Sequence, residues 1–565
     1  MTTVAEIIAH ELVQLGVQHF FLLTGGDHAL FAALRSAGIR QVLARSESGA
    51  VYMADAYARV TKQPAFVYGQ FGPGAANIAG SLAEPWWSSS PVVALTSAMR
   101  RQHRYRFEYQ DLDQSYLFAS VTKWQAEAPI PEQVPHLIRT GVRRALSGNP
   151  GPVYIGIPND LMEAPVDATV GYTSADAAPP TFPLFRPKPP TGAVQEVARL
   201  LSASARPLIV AGNGIHLSGA YEPLRRVAER LNIPVVTSLS GKGAIPEGHA
   251  LSAGVSGRYS RNYTNQIMKD ADILVAVGTR LAGLVTDSYR LVSPGTTIIH
   301  VDVDAVAVGH NFPASIEVQA DARTFLEDLA ATLEDEPAFA ETRSAHEGWT
   351  AAVAQDRDAW KRRYLARASG GQAPMAPEAL TRQLQEMIPP GGLVLADTGY
   401  AAAWVGSLYE VPYAGRGFLR SDGSLGWALP AALGAKLADP SRPVVAVTGD
   451  GGFGYHVGEL ETAVRLQMPV IVVILNNRSL AFEYHIQQFM YGAAITEVDD
   501  FVDVDYAAVA RAFGAAGERV DTPATFVDAF GRALSAARPT VIDALIDKDA
   551  IAPVTRYDSI RTREL

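Results

Sequence analysis

The sequence contains no cysteine, and this absence excludes a large part of protein chemistry. With 0 Cys among 565 residues, disulfides, iron–sulfur clusters, thiolate zinc sites and cysteine nucleophiles are all ruled out. Excess positive charge is also absent. The formal net charge of −10 argues against nucleic-acid binding and against a polybasic membrane anchor.

Long hydrophobic runs are missing as well. The longest apolar strings, such as residues 470–475, are far shorter than the roughly 20 residues of a membrane-spanning helix. The N-terminus has no basic segment followed by an apolar core, so we expect no signal peptide. The hydrophobic fraction of 48% is sufficient for large cores. We therefore expect a soluble, cytoplasmic enzyme that binds neither nucleic acid nor membranes.

Apolar strand-like runs alternate with helical periods through most of the chain, a pattern typical of α/β folds with parallel sheets. Two stretches interrupt it. Residues 177–190 are rich in proline, and residues 355–376 are polar and rich in small residues. These breaks predict three consecutive parallel-sheet α/β domains at residues 1–175, 190–345 and 375–550, followed by a C-terminal tail at 551–565.

Ligands of parallel sheets bind at the carboxyl ends of the strands, so the residues there are the first candidates for chemistry. The residues that follow three predicted strands are Thr398 and Gly399, then Gly449, Asp450, Gly451 and Gly452, then Asn476 and Asn477. A carboxylate and an amide oxygen suit Mg²⁺, which prefers hard oxygen ligands with phosphate oxygens and water. The glycines allow backbone N–H groups to approach a diphosphate.

The spacing between this Gly-Asp-Gly run and the Asn-Asn pair resembles the signature of thiamine-diphosphate enzymes of the acetohydroxyacid synthase and pyruvate decarboxylase superfamily. The resemblance covers the whole chain and implies pyrimidine-binding, middle and diphosphate-binding domains in the predicted order. It implies that Asp450, the Asn477 side chain and the Ser479 carbonyl hold Mg²⁺. It also implies that Glu47, at the start of a predicted helix at 47–61, hydrogen-bonds N1′ of the aminopyrimidine. That contact promotes loss of the proton at thiazolium C2.

Further positions complete the site that the resemblance implies. Leu425 occupies the place of the bulky apolar residue that bends the cofactor, and the Gly423 carbonyl accepts from the 4′-amino group. The other implied cofactor contacts are Gly25, Asn77, Thr398, Gly399, Gly449, Gly451 and Gly452. Because Glu47 and Asp450 lie on different domains, the family places its active site between two subunits. We therefore expect a homodimer at least, and a homotetramer as the common form.

Two single residues and one segment distinguish the chain from acetohydroxyacid synthases. Ser46 stands where those enzymes have His, and segment 109–114, with Gln110 as a catalytic candidate, is similar to benzaldehyde lyase and the acyl-CoA lyases. Glu483 falls where pyruvate-decarboxylase-like members carry a catalytic glutamate, and we expect it to be partly buried. The leading interpretation is a non-oxidative lyase or decarboxylase-carboligase, acting on a 2-oxo acid, acyloin or 2-hydroxyacyl-CoA through an enamine. The alternative is acetolactate (acetohydroxyacid) synthase.

Three regions leave alternatives open. A glycine-containing turn at 212–214 follows a strand, but Leu217 occupies the third-glycine place of a dinucleotide fingerprint. The middle domain therefore binds FAD, an ADP or CoA moiety, or no nucleotide. His28 is either a catalytic residue at a strand end or a surface residue that caps a helix. The tail at 551–565 is either a lid over the site or a frayed terminus.

Overall fold

The computed structural model describes residues 2–167, 179–335 and 339–555. These residues form three six-stranded sheets and one two-stranded pair. All pairings within the six-stranded sheets are parallel, and helices connect the strands. The predicted fold class, three consecutive parallel-sheet α/β domains, is confirmed.

The first sheet lies between residues 19 and 158. The elements of this region are β1 (Thr2–Thr3), α1 (Val4–Gln14), β2 (His19–Leu22), α2 (His28–Ser36), β3 (Arg40–Leu43), α3 (Glu47–Thr61), β4 (Ala65–Gly69), α4 (Pro73–Ser81), α5 (Ala83–Ser88), β5 (Val92–Ala98), α6 (Gln114–Phe118), β6 (Gln125–Glu127), α7 (Val134–Leu146), β7 (Val153–Pro158), α8 (Asn159–Met162) and β8 (Pro165–Val166). The strand order is β3-β2-β4-β5-β7-β6, and β1 pairs antiparallel with β8. Strands β4, β5 and β7 are fully buried, as expected for apolar strands covered on both faces.

The second sheet lies between residues 207 and 319. The elements here are α9 (Thr191–Ala203), β9 (Pro207–Ala211), α10 (Asn213–Ser218), α11 (Tyr221–Leu231), β10 (Val235–Thr237), β11 (Ser252–Val255), α12 (Asn262–Asp270), β12 (Ile273–Val277), β13 (Thr297–Asp302), β14 (Ile316–Gln319), α13 (Ala322–Asp335), α14 (Phe339–Ala345) and α15 (Glu347–Arg367). The strand order is β11-β10-β9-β12-β13-β14.

The third sheet lies between residues 393 and 545. Its elements are α16 (Pro377–Met387), β15 (Leu393–Ala396), α17 (Tyr400–Leu408), β16 (Phe418–Arg420), α18 (Ala428–Ala438), β17 (Val444–Gly449), α19 (Asp450–Tyr455), α20 (Glu459–Arg465), β18 (Ile471–Asn476), α21 (Ala481–Tyr491), α22 (Thr496–Asp499), α23 (Tyr506–Ala512), β19 (Ala516–Val520), α24 (Pro523–Ser535) and β20 (Thr540–Leu545). The order is β16-β15-β17-β18-β20-β19. Strands β15, β17 and β18 are therefore neighbours, and their carboxyl ends meet at one edge.

The chain groups into two compact units. The first comprises residues 1–185, 421–441 and 455–470, and the second comprises residues 186–420, 442–454 and 471–565. Within the first unit, α18 packs closely on α3. Gly434 permits this approach, because a Cβ there would lie 1.9 Å from the carbonyl oxygen of Met53. Helices α18 and α20 thus belong to the same unit as the first sheet, although they follow it by more than 250 residues in the sequence.

Several bounds match the expectation from the sequence, including strands 207–211, 273–277 and 393–396 and helix 47–61. The first part of the predicted break at 355–376 is helical, because α15 continues to Arg367, whereas residues 368–376 contain no helix. The sequence of α15 is rich in Ala and Arg, which are strong helix formers, and it contains no proline. Residues 177–178 of the first predicted break and 556–565 of the predicted tail lie outside the described residues. Among the described helices, none is long and apolar enough to cross a membrane.

Candidate active site

Asp450 begins α19 directly after β17 and is buried. Backbone N–H groups of Gly451 and Arg478 donate to its carboxylate, but Oδ2 has no hydrogen-bond partner among the described residues. Burial raises the pKa of this carboxyl to about 7. A buried carboxylate oxygen without a partner is costly, and a bound cation would satisfy it.

The two asparagines after β18 differ in their contacts. Asn476 donates from Nδ2 to Asp543 at 2.8 Å, so it supports the fold. Asn477 is buried, and its Oδ1 accepts from the backbone N–H of Ser479 at 3.1 Å. That oxygen retains a second lone pair for another donor or a cation.

Strands β17 and β18 are adjacent and parallel, with Gly449 paired to Leu475. Asp450 and Asn477 therefore leave the same edge of the sheet. No three His, Cys, Asp or Glu side chains cluster as metal ligands in the described part of the chain. A site made of one carboxylate, one amide and a backbone carbonyl has only hard oxygen donors, and it fits Mg²⁺.

The glycines of this turn serve different purposes. A Cβ at Gly452 would lie 2.7 Å from Thr448 Oγ1 and 3.2 Å from Asp397 Oδ2, so no larger residue fits without displacing that pair. A Cβ at Gly451 would lie 2.7 Å from Leu480 Cδ2. At Gly449, in contrast, a Cβ would meet no atom of the described residues within 4 Å, apart from its chain neighbours. The fold itself does not require a glycine at 449, which leaves room for a ligand.

Thr398 and Gly399 follow β15 at the same edge of this sheet. The backbone N–H of Thr398 donates to Asp397 Oδ1 at 2.8 Å, and Thr448 Oγ1 donates to Asp397 Oδ2 at 2.9 Å. Gly399 has a φ of +74° and open space around it. The buried Asp397 thus fixes the turn that carries both predicted residues.

Glu47 is the first residue of α3, and the Ser46 side chain caps this helix by accepting from the Gly49 N–H. Asn77, in the middle of α4, donates from Nδ2 to Glu47 Oε2 at 3.0 Å. A Cβ at Gly74 would lie 3.1 Å from Glu47 Oε1. The structure therefore brings together Glu47 and Asn77, two residues that the sequence analysis assigned to the site separately.

Gly25 and Gln110 also come together, through Gln70. A Cβ at Gly25 would lie 2.5 Å from Gln70 Oε1, and Gln70 Nε2 donates to Gln110 Oε1 at 3.3 Å. The Tyr68 hydroxyl lies 2.8 Å from the Gly25 carbonyl oxygen and 3.0 Å from Asp27 Oδ2. Partial burial raises the pKa of Asp27 to about 6. The sequence analysis missed this half-buried carboxyl.

Gly423 and Leu425 lie on a turn that is held by Glu84, whose carboxylate accepts from the backbone N–H groups of Asp422 at 2.6 Å and Ser424 at 3.2 Å. Gly423 is exposed with a φ of +147°. Leu425 is half-buried, so it is not an ordinary core leucine and remains accessible to a ligand.

Two catalytic candidates are exposed. His28 begins α2, and its ring contacts only Phe31 among the ring pairs of the described residues. Glu483 lies in the first turn of α21 and is exposed, so the expectation of partial burial was wrong for the single chain. Only one face of α21 packs against the protein, and His485 lies on that face and is buried. Its Nδ1 lies 2.5 Å from the Tyr400 hydroxyl. Burial lowers the pKa of His485 to about 4.

Sequence reasoning also missed two buried residues that contact the neighbours of Glu47. Ser48 Oγ lies 2.8 Å from His456 Nε2, and the Arg45 N–H donates to Glu459 Oε1 at 2.9 Å. These contacts join residues 408 and 414 positions apart, so no local pattern could have indicated them.

The predicted site residues fall in both units. Those of the first unit are Gly25, His28, Glu47, Asn77, Gln110, Gly423 and Leu425, and those of the second are Thr398, Gly399, Gly449, Asp450, Gly451, Gly452, Asn477, Ser479 and Glu483. Apart from Asn77, which lies in the middle of α4, each set lies in loops or first helical turns of its own unit.

Three family models match successive segments of the chain, from its N-terminal to its C-terminal part. Residues 2–117 match the thiamine pyrophosphate enzyme N-terminal TPP binding domain, residues 194–329 the central domain, and residues 397–544 the C-terminal TPP binding domain. Similarity to curated proteins extends over nearly the whole chain. A probable acetolactate synthase large subunit of Methanocaldococcus jannaschii is 30% identical, with 97% of this chain and 93% of the relative aligned.

Two further relatives have a similar sequence identity to this chain and a similar coverage of it. The acetolactate synthase isozyme 3 large subunit of Escherichia coli is 29% identical over 95% of this chain and 93% of its own length. The acetolactate synthase of Mycobacterium bovis is 30% identical over 99% of this chain and 91% of its own length.

Proposed function

The chain belongs to the thiamine pyrophosphate (thiamine diphosphate) enzymes, and on this basis we propose that it joins two 2-oxo acids, as an acetolactate synthase does. The observation that carries this proposal is the similarity to acetolactate synthase large subunits over 95–99% of the chain. It supports the alternative of the sequence analysis better than the leading interpretation, a lyase or decarboxylase-carboligase. With pyruvate, two molecules and one proton would give one acetolactate and one CO₂.

The cofactor and Mg²⁺ are assigned to residues as follows. Asp450, Asn477 and the Ser479 carbonyl would hold Mg²⁺, which would neutralise part of the charge of the diphosphate. Oδ2 of buried Asp450 supports this assignment, because it has no hydrogen-bond partner in the described part of the chain. When bound, thiamine diphosphate supplies a carbanion nucleophile and an electron sink. We assign the pyrimidine-binding, middle and diphosphate-binding roles to residues 1–175, 190–345 and 375–550.

Glu47 is assigned the acid–base role toward N1′ of the aminopyrimidine. Its position at the first residue of α3 leaves Oε2 with Asn77 as its hydrogen-bond donor. The Asn77 amide orients the carboxylate without bringing an opposite charge to it. Leu425 and Gly423, on the turn fixed by Glu84, would support the bend of the cofactor.

A lyase or decarboxylase-carboligase is the second candidate, and Glu483 is the observation that favours it. This residue stands where the sequence analysis places the catalytic glutamate of pyruvate-decarboxylase-like members, and it lies in the first turn of α21. An acid–base group contributes about 10²–10⁴-fold in rate. Glu483→Gln should therefore abolish cleavage by a lyase, and it should change acetolactate formation by a synthase by less than about tenfold.

The two candidates are tested by supplying the purified chain with Mg²⁺, thiamine diphosphate and pyruvate. Acetolactate is measured by its acid conversion to acetoin, and remaining pyruvate is measured in parallel. The proposal requires one acetolactate for every two pyruvates consumed. Glu47→Gln serves as the matched inactive control, because it preserves the shape of the side chain. Pyruvate that is left unchanged, or that is converted to acetaldehyde without acetolactate, would contradict the proposal.

If pyruvate fails, the same preparation is offered benzoylformate, an acyloin and a 2-hydroxyacyl-CoA in turn. Consumption of any of these at a rate that Glu483→Gln lowers by about 10²-fold or more would establish the lyase candidate instead.

We also propose that the chain works as a homodimer or a homotetramer. Four aromatic side chains near Gln110 support this, because they are 78–103% exposed in the single chain: Tyr105, Phe107, Tyr109 and Tyr116. Exposed apolar patches of this kind mark interaction surfaces. Light scattering of the purified chain measures the mass, and a monomer would contradict the proposal.

Three alternatives remain for the ligand of the middle segment, residues 190–345: FAD, an ADP or CoA moiety, or no nucleotide. The glycines at 212 and 214 have a packing explanation, because a Cβ at either would lie within 2.5 Å of the Gly278 backbone. They therefore do not by themselves support a nucleotide site. The absorbance spectrum of the purified protein and mass spectrometry of the extracted ligands distinguish the three cases.

A further inference from the structure

The residues on both sides of Glu47 are held by one distant segment. We call residues 45–49 the Glu47 turn. The backbone N–H groups of Arg45 and Ser46 donate to the carboxylate of Glu459, which is 1% exposed. On the other side of Glu47, Ser48 Oγ lies 2.8 Å from His456 Nε2. All of these residues belong to the first unit.

The hydrogen bonds through His456 run in a single direction. His456 Nδ1 lies 2.9 Å from the Gly426 carbonyl oxygen, and a carbonyl can only accept, so Nδ1 carries the proton. In the neutral ring Nε2 is then an acceptor, and the Ser48 hydroxyl donates to it. Ser48 Oγ is left to accept from the Ser46 hydroxyl at 3.0 Å. Ser46 Oγ in turn accepts from the Gly49 N–H at 2.9 Å.

This chain of hydrogen bonds depends on a neutral imidazole. A protonated ring would present two N–H donors, and the Ser48 hydroxyl could no longer donate to Nε2. Burial of His456 lowers its pKa below the usual value, which keeps the ring neutral at physiological pH. The ring also packs edge-on against Tyr52 of α3, with centroids 5.4 Å apart.

We propose that His456 is a positioning residue for Glu47, which sets the orientation of the Glu47 turn through Ser48 and Ser46. The inference deepens the proposed function and rests on its assignment of Glu47. The described hydrogen bonds of His456 go to Ser48 and the Gly426 carbonyl and not to Glu47 or Asn77, so it acts through the backbone and hydroxyls of the turn. Its ring is the part that connects Ser48 to the Gly426 carbonyl, one residue from Leu425.

The physical reason is that acid–base groups must be placed accurately. A displacement of about 1 Å costs on the order of 10²-fold in rate. Beyond the Asn77 contact at 3.0 Å, the direction of the Glu47 side chain follows from the backbone of the turn. The turn is tied down by Glu459 before Glu47 and by His456 after it.

The first measurement uses the chain without cofactor. His456→Asn keeps a donor for the Gly426 carbonyl and removes the acceptor for Ser48. Hydrogen–deuterium exchange by mass spectrometry should show faster amide exchange in peptides that cover residues 43–50. The matched control is His216→Asn, because His216 is also buried and hydrogen-bonds the Tyr221 hydroxyl and the Lys242 carbonyl in the second unit. This control should leave the 43–50 peptides unchanged.

The second measurement uses the chain saturated with Mg²⁺ and thiamine diphosphate, and it follows exchange of the cofactor C2 proton by quenched-flow NMR. His456→Asn should slow this exchange by about tenfold or more, and His216→Asn should stay within twofold of wild type. Ser48→Ala should slow it similarly, whereas Ser48→Thr, which keeps the hydroxyl, should restore it. If His456→Asn does not fold, the Ser48 pair decides.

Two results would overturn the inference. One is C2 exchange within twofold of wild type in both His456→Asn and Ser48→Ala at full cofactor occupancy. The other is unchanged amide exchange at residues 43–50 in His456→Asn. Neither depends on the substrate: a wild-type chain that exchanges the C2 proton but makes no acetolactate contradicts the proposed function and leaves the role of His456 intact.

Discussion

Replacement of Asp450 by Asn should make the cofactor-free chain more stable while abolishing its response to Mg²⁺. The reason is that Asp450 Oδ2 is buried with no hydrogen-bond partner among the described residues, and burial raises the pKa of this carboxyl from 3.8 to about 7. Each pKa unit corresponds to about 1.4 kcal/mol. The ionised carboxylate therefore destabilises the cofactor-free fold by about 4 kcal/mol above pH 7.

The sign of this pH dependence follows from linkage. Between pH 3.8 and about 7 the unfolded chain releases a proton that folded Asp450 still holds, so stability falls as the pH rises through this window. Asn does not titrate, and it loses this penalty. Because its amide N–H₂ needs a new acceptor, we expect a net gain of about 2–4 kcal/mol at pH 8 and almost none at pH 4.

The assay is urea denaturation of chelator-treated protein at pH 4, 6 and 8, repeated with Mg²⁺ and thiamine diphosphate. A ligand at 100 times its Kd stabilises the folded state by about 2.7 kcal/mol, and only the wild type should show this gain. Asp397→Asn is the matched control. Both Asp397 oxygens have donors, from Thr398 and Thr448, so this change should destabilise the chain.

Two outcomes would refute the reasoning. An Asp450→Asn chain no more stable than wild type at pH 8 would mean that Oδ2 has a partner in solution. A variant stabilised by Mg²⁺ and cofactor as much as wild type would remove Asp450 from the metal site.

Glu47→Gln should bind cofactor normally but exchange the C2 proton about 10²–10⁴-fold more slowly by NMR, and an unchanged rate would refute its assignment. Gly452→Ala should lower the thermal midpoint, because its Cβ displaces Thr448 Oγ1 at a cost of about 1–3 kcal/mol. Gly449→Ala should keep the thermal midpoint and weaken cofactor binding about tenfold or more in calorimetry. A lowered midpoint for Gly449→Ala together with an unchanged midpoint for Gly452→Ala would contradict both expectations. His485, with a folded pKa of about 4, stays neutral while the unfolded chain protonates near pH 6.5. The free energy of unfolding should therefore fall as the pH is lowered from 6.5 to 4. His485→Phe should reduce this pH dependence by about 1.4 kcal/mol per pH unit. The same pH dependence in wild type and variant would contradict the lowered pKa of His485.

The sequence by itself determined the fold class and the residues that leave one edge of the third sheet. Buried strands such as 393–396 and the helix at 47–61 depend on apolar runs and periodicity over a few neighbours, and the structure has both with the predicted bounds. Asp450 and Asn477 were brought together correctly because adjacent parallel strands end at the same edge.

The tertiary structure alone decided what depends on packing across long separations. The sequence left Glu483 and His485 as neighbours on one helix, and only the packing of α21 exposes the first and buries the second. The contact of Ser48 with His456 spans 408 residues. Local patterns fix which residues can form an element, but they carry no information about which distant side chain packs against it.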